Sequence, residues 1–262
     1  MFKLTLYTIQ RLETEAVVKA LWARLSEPAI APNFFDVNED AKIPFSPLSY
    51  QQARDLYEQG GFLFVSGGKD GFQAMFARQP HGLSTWHLWV ETLAVKTGAT
   101  APWMQWVFRL CSDLPVLFGA GCDEAEFNAK HSFLRELPGG RRVSGFVGVS
   151  VPDFYRFLPG IYWLTIFGNE LVANIGCETF SKLTSAVAIP VQPSQMALIL
   201  KGDSQPGDMS ERLTATRRIV EALGTNHFFD KNRSPADLTQ YPELSRALEA
   251  AGGTASSPRE SI

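Results

Sequence analysis

Cysteine, basic charge and long apolar runs are all scarce in this chain of 262 residues. Its three cysteines, Cys111, Cys122 and Cys177, have no spacing that suits a disulfide framework or a zinc site, which favours the reducing cytoplasm. A net charge of −3 argues against a generic nucleic-acid-binding protein. No stretch approaches the roughly 20 apolar residues that cross a bilayer. The alternating segment Met1–Thr8 predicts a strand rather than a signal peptide.

Catalytic motifs are also missing. The segment Ser66–Gly71 is glycine-rich, but its spacing and the Asp70 after Lys69 do not fit a phosphate-binding loop, so it predicts a turn. No Gly-x-Ser-x-Gly motif marks a hydrolase serine. Cys122, Asp123 and His131 are too irregularly spaced to indicate a metal site. We therefore expect no catalytic residue, no bound metal and no cofactor.

What the chain does contain is apolar periodicity. Hydrophobic residues make up 45% of it and aromatic residues 12%, enough to bury an aromatic-rich core. The pattern predicts strand, helix, two strands, helix and strand in each half, which is the order of a ferredoxin-like unit. We expect an α+β fold of two tandem ferredoxin-like βαββαβ units, with antiparallel sheets packed by helices. The units span residues 1–140 and 141–250, followed by a disordered tail at 251–262.

The four tryptophans Trp86, Trp89, Trp103 and Trp106 lie on adjacent predicted elements. An aromatic core between helix and sheet is favoured over an exposed stacking platform. Any of the four that is exposed becomes a candidate interface anchor. His87, between Trp86 and Leu88 on the same predicted strand, is expected to be half-exposed, and His81 is expected in a turn.

Two acidic segments suit an electrostatic docking surface for a basic protein. In one of them Phe34 and Phe35 lie beside the carboxylates and would provide the apolar anchor of such an interface. The predicted partner-binding residues of the two segments are Phe34, Phe35, Asp36, Glu39, Asp40, Asp123, Glu124 and Glu126.

The sharpest signature, Leu158–Gly176, is architectural rather than catalytic. Around it, the second half resembles the type VI immunity family, bacterial proteins that neutralise polymorphic toxins or type VI secretion effectors. The residues that carry the likeness are Pro159, Gly160, Tyr162, Trp163, Phe167, Gly168, Leu171, Val172, Ile175 and Gly176, then Ala222–Gly224 and Phe228–Asp230. The first half fits more loosely, through Thr85–Val90 and Trp103–Leu114.

The resemblance implies a cytoplasmic immunity protein that binds a cognate toxin, such as a nuclease, and occludes its active site. It implies a protein partner rather than nucleic acid or membrane, and it transfers no catalytic residue. One alternative is a small-molecule-binding or catalytic ferredoxin-like enzyme with His87, Cys122 or Asp123 near a cleft. Another is a self-assembling structural component that pairs through exposed edge strands. The sequence leaves the oligomeric state open.

Overall fold

The computed structural model describes residues 1–79, 82–136, 140–201 and 209–231. Within these ranges the strands are β1 (Phe2–Thr8), β2 (Phe34–Asp36), β3 (Ile43–Pro44), β4 (Phe62–Ser66), β5 (Gln73–Arg78), β6 (Ser84–Val90), β7 (Phe118–Asp123), β8 (Ser132–Glu136), β9 (Arg142–Phe146), β10 (Leu164–Phe167), β11 (Ala186–Gln192) and β12 (Gln195–Leu200). The α-helices are α1 (Glu15–Leu25), α2 (Tyr50–Gly60), α3 (Pro102–Asp113), α4 (Glu124–His131), α5 (Val151–Phe154), α6 (Asn169–Ile175), α7 (Cys177–Ser181) and α8 (Met209–Leu223).

Ten of these strands form one antiparallel sheet in the order β11-β12-β10-β7-β1-β6-β5-β4-β2-β3. The expected α+β fold with antiparallel pairing and packed helices is confirmed. The expected division of the sheet into two ferredoxin-like units is not confirmed, because β7 pairs with β1 on one side and with β10 on the other. The domain boundary near residue 140 stays a prediction. The tail at 251–262 and His81 lie outside the described residues.

One face of the sheet is packed by helices and forms the core. Phe2, Leu4 and Leu6 alternate along β1 and are fully buried on this face. The ring of Phe2 meets Trp103 of α3 edge to face, with centroids 5.6 Å apart, and Trp22 of α1 meets Phe35 in the same way at 5.4 Å. Period-two alternation in these strands therefore meets an apolar stripe on each helix. At the β10 and β12 end of the sheet the core covers both faces, because every residue of these two strands is buried.

Two glycines of β7 leave space for side chains of the neighbouring strands β1 and β10. A Cβ atom on Gly119 would lie 3.0 Å from side-chain atoms of Leu6 and Ile166. One on Gly121 would lie 2.9 Å from the ring of Phe2 and 3.1 Å from Leu164. Since β7 joins the strands of the two halves, its missing side chains allow the large residues of β1 and β10 to pack across it.

The Leu158–Gly176 segment is a packing element. Tyr162, Trp163 and Phe167 are all buried, as the sequence predicts. Gly168 donates its backbone N–H to Leu117 O at 2.9 Å, and a Cβ there would lie 2.1 Å from Val116 O. This glycine is needed for space, because its φ of −72° is open to any residue. No helix in the described part of the chain is long and apolar enough to cross a membrane.

Candidate protein-docking surface

The other face of the sheet is open where it is formed by β1, β6, β5, β4 and β2. Side chains on this face alternate with the buried core residues, and most of them are half-buried or exposed. At one end Tyr7 and Thr85 are buried, because the ring of Phe154 stacks on Tyr7. We call this surface the open face, formed by Lys3, Thr5, Phe34, Asp36, Phe62, Phe64, Gln73, Met75, His87 and Trp89. An antiparallel sheet with one solvated face is normal, but that face is usually polar.

A row of aligned residues crosses the open face from strand to strand. Thr5 lies opposite His87, His87 opposite Met75, Met75 opposite Phe64, and Phe64 opposite Asp36. Cross-strand neighbours of this kind have Cβ atoms about 5 Å apart. The row is therefore continuous over five strands and is apolar at its centre.

Large aromatic side chains give this face its chemical character. Phe34 and Phe62 are each 41% exposed, and Phe62 meets Phe64 edge to face at 5.9 Å. Trp89 is half-buried, and the Nζ of Lys3 lies 5.5 Å from the centroid of its ring. Of the four tryptophans considered from sequence, Trp86, Trp103 and Trp106 are core residues. Trp89 is the one in position to act as an anchor.

His87 is held on this face as a neutral side chain. Its Nδ1 lies 3.0 Å from Thr5 Oγ1, and its ring centroid lies 5.8 Å from that of Trp89. Burial among these neighbours, together with the nearby charge of Lys3, lowers the pKa of His87 to about 3. Burial also lowers the pKa of Lys3. His87 therefore provides a hydrogen-bonding ring without charge near neutral pH.

The first acidic segment lies beside the open face. Phe34 is exposed, as a docking anchor requires, whereas Phe35 points to the opposite side of β2 and is fully buried. Asp36 accepts the backbone N–H of Val37 at 2.7 Å. Glu39 and Asp40 are exposed, and Asp40 pairs with Lys42 at 2.7 Å. We call residues 36–40 the acidic loop. Partner binding by its residues stays a prediction.

The second acidic segment is engaged within the chain. Arg212 of α8 contacts Asp123 at 3.0 Å and Glu126 at 3.2 Å, and both carboxylates are buried. The other oxygen of Glu126 pairs with Lys130 at 2.5 Å, and Lys130 also donates to the backbone carbonyl of Ile161. Asp123 additionally caps α4 by accepting the Glu126 backbone N–H at 2.8 Å.

Only Glu124 among these three acidic residues is exposed. Asp123 and Glu124 border an open depression of about 390 Å³ with Met1, Thr92, Ala125 and Asn128. Neither a histidine nor a cysteine lies among these lining residues. In this conformation Asp123 and Glu126 tie α8 to α4, and presenting them to a partner would first require the contacts with Arg212 to break.

A second buried polar cluster lies next to this network. His131 is fully buried, with Nδ1 2.8 Å from Val147 O and Nε2 2.6 Å from the hydroxyl of Tyr162. Burial lowers the pKa of His131 to about 4 and raises the pKa of Tyr162. With both ring nitrogens occupied by partners inside the chain, this histidine has the contacts of a structural residue.

Sequence reasoning missed one exposed element, the hairpin of β8 and β9. These strands pair with each other over five aligned residue pairs and lie outside the ten-stranded sheet. The signal was present in the turn-forming Pro-Gly-Gly run between two short apolar stretches. That run suggests a domain boundary equally well. The described residues contain no group of three histidine, cysteine or carboxylate side chains suited to a metal ion.

Comparison with known proteins adds little. Neither a family model nor a curated protein matches this chain. Among solved structures it is similar to the Pseudomonas aeruginosa T6SS protein PA0821, with 12% identity and a TM-score of 0.49. The superposition covers 95% of this chain and 81% of the other. A likeness of this size does not carry over a role.

Proposed function

We propose that this chain is an immunity protein that binds a cognate bacterial toxin and neutralises it in the cytoplasm. In this proposal it performs no chemistry, and the toxin is its partner. Two features support the proposal: the resemblance of Leu158–Gly176 to the type VI immunity family, and a surface suited to protein binding.

The observation that carries the proposal is the open face. Four adjacent strands, β2, β4, β5 and β6, carry Phe34, Phe62, Phe64, Met75 and Trp89, which are exposed or half-buried. Aromatic and methionine side chains are enriched where proteins bind each other, and exposed aromatic clusters on a stable sheet are costly unless a partner covers them. Each of the strands that carry these side chains is paired with a neighbour on both sides, so the backbone needs little further ordering on docking.

Occlusion is the mode of inhibition that fits such a surface. A rigid sheet face that covers the mouth of a toxin's active site excludes substrate without touching the catalytic groups. Standard interfaces bury roughly 800 Å² on each partner, so neighbouring elements must contribute as well as the open face. A nuclease is a suitable target, because its substrate is large and is readily excluded.

Co-expression tests the proposal. The chain is produced with the protein encoded by the adjacent gene, and growth and co-purification are measured together. We expect growth to be restored and the two proteins to purify as a complex. Growth arrest that persists although this chain is folded and abundant, with no complex recovered, would reject the pairing.

A further inference from the structure

Among the described residues, the β8–β9 hairpin pairs with no other strand. Two-stranded hairpins are marginally stable in water. This one nevertheless exposes large apolar groups, with Leu134 68% exposed and Phe146 56% exposed. The register places both on one face of the hairpin, because Phe146 lies opposite Ser132 and Leu134 lies opposite Ser144. A partner that covered this face would bury both side chains.

The hairpin continues the open face. The Nζ of Lys3 lies 5.5 Å from the Trp89 ring centroid and 5.9 Å from that of Phe127. Phe127 in turn meets Phe146 at 5.0 Å. Trp89, Lys3, Phe127, Phe146 and Leu134 therefore follow one another from the centre of the sheet to the hairpin. One bound protein can contact both parts.

Charge differs between the two ends of this surface. The acidic end, residues 34–42, contains three carboxylates, Asp36, Glu39 and Asp40, against the single Lys42. The hairpin segment, residues 132–146, contains three arginines, including the exposed Arg141 and Arg142, against the single Glu136. Four strand spacings separate β2 from β1, or about 19 Å. The two ends therefore lie further apart than a Debye length, so the charges of a partner interact with each end independently.

We propose that the toxin contacts the open face and the hairpin together. The contacting surface of the toxin has an apolar centre, basic groups that face the acidic loop and carboxylates that face the hairpin arginines. This inference rests on the proposed function and adds the chemistry and the orientation of the bound partner. Opposite charge at each end allows one orientation on the sheet and disfavours the reverse.

A nucleic-acid strand fits this surface less well. The open face has aromatic rings, but Lys3 is its only cation, and a carboxylate of β2 ends its central row. Strand binding depends on a basic groove that follows the phosphates. A protein with mixed charge satisfies both ends of the surface, whereas a polyanion is repelled by one of them.

Charge reversal tests the orientation. The probe is the protein encoded by the adjacent gene, with its catalytic residue replaced so that it can be purified. Association and dissociation rates are measured for wild type and for two double variants, Glu39→Lys/Asp40→Lys and Arg141→Glu/Arg142→Glu. Each protein is measured at low and at moderate salt concentration. Each double variant should slow association by about tenfold at low salt and flatten the salt dependence. The apolar substitution Leu134→Ser should mainly speed dissociation.

Matched controls carry the same charge changes elsewhere. Glu211→Lys/Glu221→Lys and Arg217→Glu/Arg218→Glu alter exposed residues of α8, outside the open face and the hairpin, and each should change the rates less than about twofold. Tight binding by wild type and by every variant would overturn the inference and leave the proposed function standing. Absence of binding by wild type would reject both. A wild-type homodimer in light scattering that Leu134→Ser abolishes would assign this surface to a second copy and also overturn the inference.

Discussion

At the scale of single residues, the informative side chains are polar groups buried where solvent cannot reach them. Arg212 lies between the carboxylates of Asp123 and Glu126, and His131 lies between Val147 O and the Tyr162 hydroxyl. Each is satisfied by partners far away in sequence. Their stability contributions therefore depend on the complete fold and give separate tests of the structure.

Removing Arg212 should destabilise the protein strongly. Arg212→Ala leaves the buried carboxylate of Asp123 without its cation and Glu126 with Lys130 alone. Breaking a buried ion pair in this way costs about 3–5 kcal/mol. Urea unfolding followed by fluorescence measures the loss in free energy of unfolding. Arg217→Ala, an exposed arginine on the same helix, should change stability by less than about 0.5 kcal/mol. Equal effects of the two substitutions would show that the ionic network is not formed.

Acidification should destabilise the fold through His131. The pKa of this group is about 4 in the folded chain, below the value near 6.5 expected when it is unfolded. The unfolded state then binds more protons between these values, so stability falls as pH decreases from about 6.5 to 4. His87 adds a loss of the same sign. Unfolding free energies measured at several pH values should show a smaller slope in His131→Gln, and an unchanged slope would contradict the assignment.

At the scale of elements, periodic segments were predictable and long-range pairing was not. The segments Phe62–Val65 and Phe72–Ala77, on either side of a turn-forming run, predict a hairpin, which is confirmed as β4 and β5. The apolar stripe of Pro102–Leu114 predicts a helix, which is confirmed as α3. The short strands β2 and β3 lie in a proline-rich stretch without alternation. The sequence of Asn226–Phe229 predicts a short strand, which is wrong: the segment overlaps a 3-10 turn at Thr225–His227, and Phe228 forms a single bridge to Leu158.

The candidate site was predictable only in part, for a related reason. Exposed Phe34 and Glu39 were found from local composition. Burial of Asp123 and Glu126 depends on Arg212, which lies more than 80 positions along the chain. The cross-strand row from Thr5 to Asp36 depends on register, which a single sequence does not specify over five strands. Residue type therefore indicated candidate residues, and packing decided which of them remain exposed.

The turn between β10 and α6 should not accept a side chain. Gly168→Ala places a methyl group against the backbone oxygens of Val116 and Leu117, so one of the two segments must move. We expect a loss of about 1–3 kcal/mol in thermal or urea unfolding. Gly60→Ala is the control, because its Cβ meets only Val37 at an ordinary 3.5 Å. A neutral Gly168→Ala would show that the close approach is not rigid.

At the scale of the whole molecule, the helix-packed core and the open face lie on opposite sides of five strands. Helices α1 and α3 cover one face and form the core there, while the other face leaves Phe34, Phe64 and Trp89 accessible. Changes on the open face should therefore affect binding more than folding.

Phe34→Ala gives a direct form of this prediction. It should weaken the affinity for the partner by about tenfold or more, as anchor residues do, and lower the unfolding free energy by less than about 1 kcal/mol. Calorimetric titration and urea unfolding of the same preparation measure both quantities. Leu48→Ala, which alters a more exposed apolar residue outside the open face, should leave both unchanged.

Oxidative footprinting of the free chain and of its complex tests most directly whether the open face is the surface that meets a protein partner. Hydroxyl radicals label accessible side chains, and mass spectrometry measures the labelling of each one. The account predicts that Trp89, Met75 and Phe34 lose labelling in the complex while Leu48 keeps it. Protection confined to the helical face, with Trp89 and Met75 labelled as in the free chain, would contradict it.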